Sequence, residues 1–212
     1  MRLKNVTGSR EMIAASDFVI HNETAHKGAW KQVFGNDHPI EIEIGMGKGQ
    51  FILTLAKQNP DVNYIGIEKY STVLLRAIQK MESEPLANVR FIRMDAEFIC
   101  DVFVKDEVSR IYLNFSDPWP KERHAKRRLP SKEFLARYDQ FLKKDGVIEF
   151  KTDNDDLFAF AVEEVPLAQW KIREMTQDLY HNEKMIEGNV KTEYEEKFSA
   201  MGNLIHKYVI ER

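Results

Sequence analysis

The sequence predicts an α/β fold: a doubly wound, mostly parallel sheet with an antiparallel strand at its C-terminal edge. Two observations predict it. From residue 39 onward, short apolar runs of strand type alternate with longer helical stretches. Strict alternation of that kind means parallel strands with helices on both faces. Near the C-terminus the order closes on a helix and then a strand, which fits an added antiparallel edge. At 212 residues the chain can build one domain with a full core. Residues 1–38 are mixed polar with no clear period, so we expect a partly ordered lead segment there and a single domain over 39–212.

Each element has its own signal. Ile40-Glu41-Ile42-Glu43-Ile44 alternates as a strand does. A helix over 49–58 ends at Asn59-Pro60, a strand covers 63–68, and a helix over 71–82 is closed by Pro85. Residues 89–94 read as a strand, 96–104 as a short helix and 110–115 as the fourth strand. Ser131 is an N-cap for a helix over 131–143, with Glu133 in its first turn. Then come a strand over 146–152, a helix over 155–165 and a strand over 170–176. Residues 177–191 are polar, contain Gly188-Asn189, and read as a loop. A helix over 192–201, stopped by Gly202, precedes a last strand over 206–211.

Composition narrows the function. Hydrophobic residues make up 43% and charged residues 31%, as in globular proteins that live in water. The net charge of −3 does not call for a polyanion partner, so any nucleic-acid binding has to come from a local patch. The single cysteine, Cys100, excludes an internal disulfide framework and fits a reducing cytosol; its apolar neighbours read as core packing. No apolar run approaches the roughly 20 residues that span a bilayer, and no secretory h-region is seen, so we expect a cytoplasmic protein without a membrane partner. The histidines show no metal-ligand spacing, and no metal is expected.

Three strand ends carry ligand-type residues. Glu43-Ile44-Gly45-Met46-Gly47-Lys48-Gly49 lies where the first strand turns into the first helix. Gly45 and Gly47 let the backbone approach a ligand at the carboxyl end of the strand. The third glycine comes one position too early for a dinucleotide fingerprint, and the pattern is not a P-loop. Glu43 would repel a diphosphate but suits a cationic ligand such as S-adenosylmethionine. Glu68 ends the second strand about 20 residues on, where a carboxylate accepts both ribose hydroxyls of an adenosyl group. Asp95-Ala96, after the third strand, fits an adenine amino group with clearance beside it, or a plain helix N-cap.

The fourth strand runs into Asn114-Phe115-Ser116-Asp117-Pro118-Trp119-Pro120-Lys121. Pro118 and Pro120 stiffen this tip by fixing φ and removing two donors. A polar-acid-Pro-aromatic tip suits holding an amine or ring nitrogen beside a sulfonium methyl. Trp119 offers a face for a base, or is packing. Lys121-Glu122-Arg123-His124-Ala125-Lys126-Arg127-Arg128 then places five Lys and Arg cations against one acid in eight residues, a density that fits phosphate contact or a solvated run. Glu193, Glu195 and Glu196 read either as a solvated helix face or as capture of guanine or an ammonium at a helix start.

With those motifs placed, the chain resembles the bacterial tRNA (guanine-N7-)-methyltransferases from Gly35 onward. Phe150-Lys151-Thr152-Asp153-Asn154 and Thr192-Glu193-Tyr194-Glu195-Glu196-Lys197-Phe198 also look like blocks of that family. The resemblance implies a Rossmann-like, S-adenosyl-L-methionine-dependent enzyme that makes 7-methylguanosine at the variable-loop guanine of tRNA, position 46 of the tRNA. It implies that Glu43, Gly45, Gly47, Glu68, Asp95, Ala96 and Asp117 meet the cofactor. Lys121, Asp153, Thr192, Glu193, Tyr194 and Glu195 would meet the substrate, and Arg123, His124, Ala125, Lys126, Arg127 and Arg128 the RNA, with His124 a bystander in that arm. Asp117 is the expected catalytic group, with Asp153 its competitor for the guanine edge. A monomer or homodimer is expected. Three other readings share single features: a nicotinamide oxidoreductase, an RNA-binding module without catalysis, and a methyltransferase of another base or exocyclic amine. The glycine spacing speaks against the first and the three strand-end acids against the second. Trp119, standing where a second proline is usual, speaks against the third.

Overall fold

The computed structural model describes residues 6–212; the first five residues of the lead segment lie outside the described residues. The chain forms two compact units, Met1–Val104 and Lys105–Arg212.

In the first unit the lead segment forms α1 (Ser9–Ala14), β1 (Val19–Ile20), a 3-10 turn (Glu23–His26) and α2 (Trp30–Phe34). The regular part follows as β2 (Ile40–Ile44), α3 (Gln50–Gln58), β3 (Asn63–Ile67), α4 (Ser71–Ser83) and β4 (Val89–Ile92). The strand order is β1-β4-β3-β2, and each of these strands runs parallel to its neighbour. β3 is buried along its whole length, as a parallel strand covered on both faces must be. α4 buries Leu74, Leu75, Ala77, Ile78 and Met81, a helical stripe whose larger side chains each contribute about 1.5–3 kcal/mol. The lead segment is tied down by Trp30, fully buried, whose indole N–H donates to the carbonyl of Val102 at 3.0 Å. β1 adds a strand beside β4, which a two-residue element without periodicity could not announce. The residues expected as a helix over 96–104 form a 3-10 helix, Ala96–Asp101. Cys100 on it is half-buried, not a core residue.

In the second unit the elements are β5 (Val108–Asn114), a 3-10 helix (Glu122–Arg127), α5 (Lys132–Tyr138), β6 (Leu142–Thr152), α6 (Asp155–Leu167) and β7 (Lys171–Thr176). A 3-10 turn (Leu179–His181), α7 (Glu183–Ile186), α8 (Glu193–Ala200) and β8 (His206–Glu211) complete it. The order is β5-β6-β8-β7, with β5 and β6 parallel and β8 antiparallel to both its neighbours. The antiparallel C-terminal strand is therefore at the expected end of the sheet, with β7 outside it.

Two expectations change here. The helix predicted to reach residue 143 stops at Tyr138, because the Phe141 carbonyl accepts from the amides of Glu107 and Val108 and Leu142 is already paired with Val108. Strand pairing overrides helix propensity. The predicted loop over 177–191 contains two short helical turns, capped by Asp178 and Asn182. They drop Leu179 and Met185 into a small core with Ile205. No helix among the described residues is long and apolar enough to cross a membrane.

Candidate active site

The strand ends of the first unit place the predicted ligand residues as follows. β2 runs directly into the glycine turn, and Gly45 and Gly47 adopt φ of 76° and 60°. A Cβ at either would meet nothing within 4 Å, so the turn opens on free space. At Gly49 a Cβ would press on Ala77 Cβ at 2.9 Å, so the third glycine serves the seating of α3 against α4. Met46 points inward over Gly66, where a Cβ would lie 2.2 Å from its sulfur, and this close approach fixes the turn to β3. Glu43 is buried at the end of β2. Glu68 is also buried; its Oε2 accepts from Gly47 N at 3.1 Å and its Oε1 from Tyr70 N at 2.8 Å. Both carboxylate oxygens are thus held in place at the strand end. Asp95 caps the following 3-10 helix, its Oδ1 accepting from Glu97 N at 3.1 Å, and its Oδ2 pairs with Lys69. The Asp95 carboxylate raises the Lys69 ammonium above its ordinary value, chiefly through that hydrogen bond. Ala96 follows, half-buried. An open glycine turn beside an anchored carboxylate is a fit for a cationic adenosyl ligand.

In the second unit β5 delivers the tip. Phe115 and Trp119 both take positive φ, 50° and 42°, and bracket Asp117. Bulky residues in that region are strained, by roughly 1–3 kcal/mol each, and such strain gathers at functional sites. Asp117 itself is exposed. The Phe115 amide donates to the carbonyl of Lys151 at 2.8 Å, and its ring lies 5.0 Å from that of Tyr194. Tyr194 stacks on Phe198 at 4.1 Å and its hydroxyl is 3.5 Å from Asp153 Oδ2. Burial, and then the Asp153 carboxylate, push the Tyr194 hydroxyl above its ordinary value, so it stays a donor. Asn203 Nδ2 donates to the same Asp153 oxygen at 2.9 Å. Phe115, Asp153 and Tyr194 thus come together, and Asn203 joins them without having been singled out in the sequence.

The Thr192–Glu195 group divides. Thr192 is the N-cap of α8 and accepts from Glu195 N at 2.9 Å. Glu193 is half-buried and Tyr194 is 43% exposed. Glu195 is fully buried, which corrects both the solvated-face and the direct-capture readings of it. Its Oε2 accepts from Lys151 Nζ at 2.5 Å, its Oε1 from Asn189 Nδ2 at 2.8 Å and from the Tyr180 hydroxyl at 3.1 Å. Lys151 also donates to the carbonyl of Val190 at 2.8 Å and to Asn189 Oδ1 at 3.1 Å. Burial lowers the Lys151 ammonium from its ordinary value against the pull of Glu195. A lysine within the apolar run of β6 was the available signal for this buried pair.

The arm also divides. Lys121, Arg123, Lys126 and Arg127 are exposed; His124, Ala125 and Arg128 are half-buried. Trp119 meets the His124 ring edge-on at 5.6 Å and the Arg127 guanidinium at 5.2 Å. Its faces are therefore partly occupied by the arm. Among the described residues no three His, Cys, Asp or Glu converge as a metal ion would need.

Solved structures confirm the fold. A structure titled "Structure of an Antibiotic Related Methyltransferase" superposes with a TM-score of 0.63 at 20% identity, covering 86% of this chain and 92% of that one. The 16S rRNA methyltransferase KamB gives 0.63 at 12% identity, covering 86% and 91%. At that identity they speak for a Rossmann-like methyltransferase fold and nothing finer. Residues 37–208 match a family model described as "Putative methyltransferase", so the class of protein is a methyltransferase. Closer relatives narrow it. The tRNA (guanine-N(7)-)-methyltransferase of Lachnoclostridium phytofermentans is 64% identical over 99% of this chain and 97% of its own length. That of Bacillus subtilis is 46% identical over 100% and 99%. The chain belongs to the tRNA (guanine-N(7)-)-methyltransferase family.

Proposed function

We propose that this chain transfers the methyl group of S-adenosylmethionine to N7 of the variable-loop guanine of tRNA, giving 7-methylguanosine, in the cytoplasm and as a monomer or homodimer. The observation that carries this is full-length identity of 46–64% to relatives of that name. When bound, the sulfonium supplies an electrophilic methyl group. Residues 39–212 are the methyltransferase domain and 1–38 its lead segment. Glu68 accepts the ribose hydroxyls, while Asp95 and Ala96 meet the adenine. Glu43, Gly45 and Gly47 border the cationic end of the ligand.

Guanine N7 carries a lone pair and no proton, so no residue has to act as a general base. Catalysis consists of positioning and of stabilising the positive charge that grows on the purine. Asp117 is the group for that charge: a carboxylate on a stiff tip needs no reorganisation as the ring becomes cationic. Asp153, oriented by Tyr194 and Asn203, accepts from the guanine N1–H and N2–H edge, which adenine lacks. Lys121, Thr192, Glu193 and Tyr194 complete the substrate contacts, with Glu195 acting behind them through Lys151. Arg123, Lys126 and Arg127 meet the phosphate backbone. The target base leaves its stack to react, at a cost of a few kcal/mol.

Bulk tRNA incubated with the protein and isotopically labelled S-adenosylmethionine, then digested to nucleosides, tests the reaction. Mass spectrometry should find the label in 7-methylguanosine. Label in any other nucleoside, or none, would overturn it.

A further inference from the structure

The basic run after the tip does not act as one surface. Arg128 ends the 3-10 helix Glu122–Arg127 and turns back toward the chain that precedes it. Its Nε donates to the carbonyl of Pro118 at 2.9 Å, with a longer contact of 3.3 Å to that of Trp119. Its Nη2 donates to the Trp119 carbonyl at 3.0 Å. The guanidinium plane lies over the ring of Phe160, on α6, with its carbon 4.3 Å from the ring centroid. So the side chain is fixed on two sides: by two consecutive carbonyls and by an aromatic face.

Those carbonyls belong to the two residues right after Asp117. One of them, Trp119, holds a φ of 42° that a free chain would leave. Lysine would not reproduce this contact: an ammonium can reach two carbonyls but has no planar fork to lay on a ring at the same time. The exposed neighbours Arg123, Lys126 and Arg127 have no comparable pair of backbone bonds among those described.

We propose that Arg128 is a positioning residue for catalysis, a clasp that joins the Pro118 and Trp119 carbonyls to Phe160 and so holds Asp117 in its working place, rather than a contact to the RNA backbone. The proposal rests on the reading of Asp117 given above.

The test separates the two roles. For wild type, Arg128→Lys, Phe160→Leu and Lys126→Ala, tRNA affinity is measured over a series of salt concentrations. Single-turnover methyl transfer is measured for wild type, Arg128→Lys and Phe160→Leu at saturating tRNA and S-adenosylmethionine, with thermal melting alongside. Arg128→Lys should lose at least about tenfold in the saturating rate, in keeping with the cost of misplacing a reacting group. Its salt slope should match wild type, whereas Lys126→Ala should flatten the slope by about 1 or less. Phe160→Leu, at a half-exposed position, should show a smaller rate loss of the same kind, and it decides the matter if Arg128→Lys does not fold. A wild-type saturating rate and melting temperature in Arg128→Lys, whose retained charge can still meet a phosphate, would make the residue a phosphate contact. A lowered melting temperature with a wild-type saturating rate would make it merely structural. Either result overturns the clasp. Failure of the functional reading would look different: wild type itself would form no 7-methylguanosine.

Discussion

In the first unit each strand-end carboxylate takes one backbone amide close to it in the chain and one partner further off, the Gly47 amide for Glu68 and the Lys69 ammonium for Asp95. Glu68 takes the amide two residues on, and Asp95 does the same. In the second unit the holding groups come from far away. Asp153 is fixed by Asn203 and Tyr194, 50 and 41 positions later, and Lys151 meets Glu195 across 44. The two regions also differ in what they do with charge. Lys69 and Asp95 pair near the surface, whereas Lys151 and Glu195 are almost wholly out of water. The lesson is that the first unit's carboxylates combine local amides with reaches of 21 and 26 positions, whereas the second unit's depend on reaches of 41 to 50. The first should tolerate distant changes that the second does not.

The largest effect should come from the buried pair. Lys151→Met leaves Glu195 as an uncompensated buried charge and should cost about 3–5 kcal/mol of stability. Urea unfolding followed by circular dichroism measures it, and a midpoint equal to wild type would erase the contrast between the units. Next comes chemistry. Asp117→Asn keeps the shape of the tip and removes its charge, so single-turnover rates at saturation should fall on the order of 10²-fold or more. A fully active, folded Asn variant would pass the role to Asp153. In wild type the same assay should show no rise of rate through neutrality of the kind a titrating general base gives, since N7 has no proton to give up.

The cofactor side should respond more mildly. Glu68→Ala removes charge-assisted bonds to a diol and should weaken S-adenosylmethionine binding by about 1–3 kcal/mol. Calorimetric affinity within twofold of wild type would remove Glu68 from the site. The smallest effect belongs to the exposed pair: Lys69→Met should change stability by no more than about 1 kcal/mol. A loss as large as that of Lys151→Met, in the same urea experiment, would show that exposure does not separate the two units after all.

The same contrast explains what was legible in the sequence. Strands β2 to β6 and helices α3, α4 and α6 follow from apolar period and from caps, because those signals are local. So do the glycine turn, Glu68 and the Asp95 cap. Residues whose meaning lies in a distant partner were not readable. Glu195 looks like any helix-face acid until Lys151, Tyr180 and Asn189 are brought to it. Asn203 has no pattern of its own, and Arg128 cannot be told from Lys126 or Arg127 by composition. Trp30 and β1 hid in a polar stretch because a two-residue strand has no period. The stop of α5 at Tyr138 was set by the carbonyl of Phe141, not by any breaker in the helix.

The placing of β8 between β6 and β7 bears on how the polypeptide is made. A ribosome delivers β6 and β7 well before residues 206–211, and neither can meet the neighbour they share until those residues have emerged. The first unit has all its strands by residue 92 and can condense while translation continues. The second must wait with a hydrogen-bonding rim of β6 exposed, the kind of rim that invites pairing with another chain. A stalled or clipped product lacking β8 would therefore keep its glycine turn but carry an open strand edge, a species for chaperones or proteases rather than a slower enzyme.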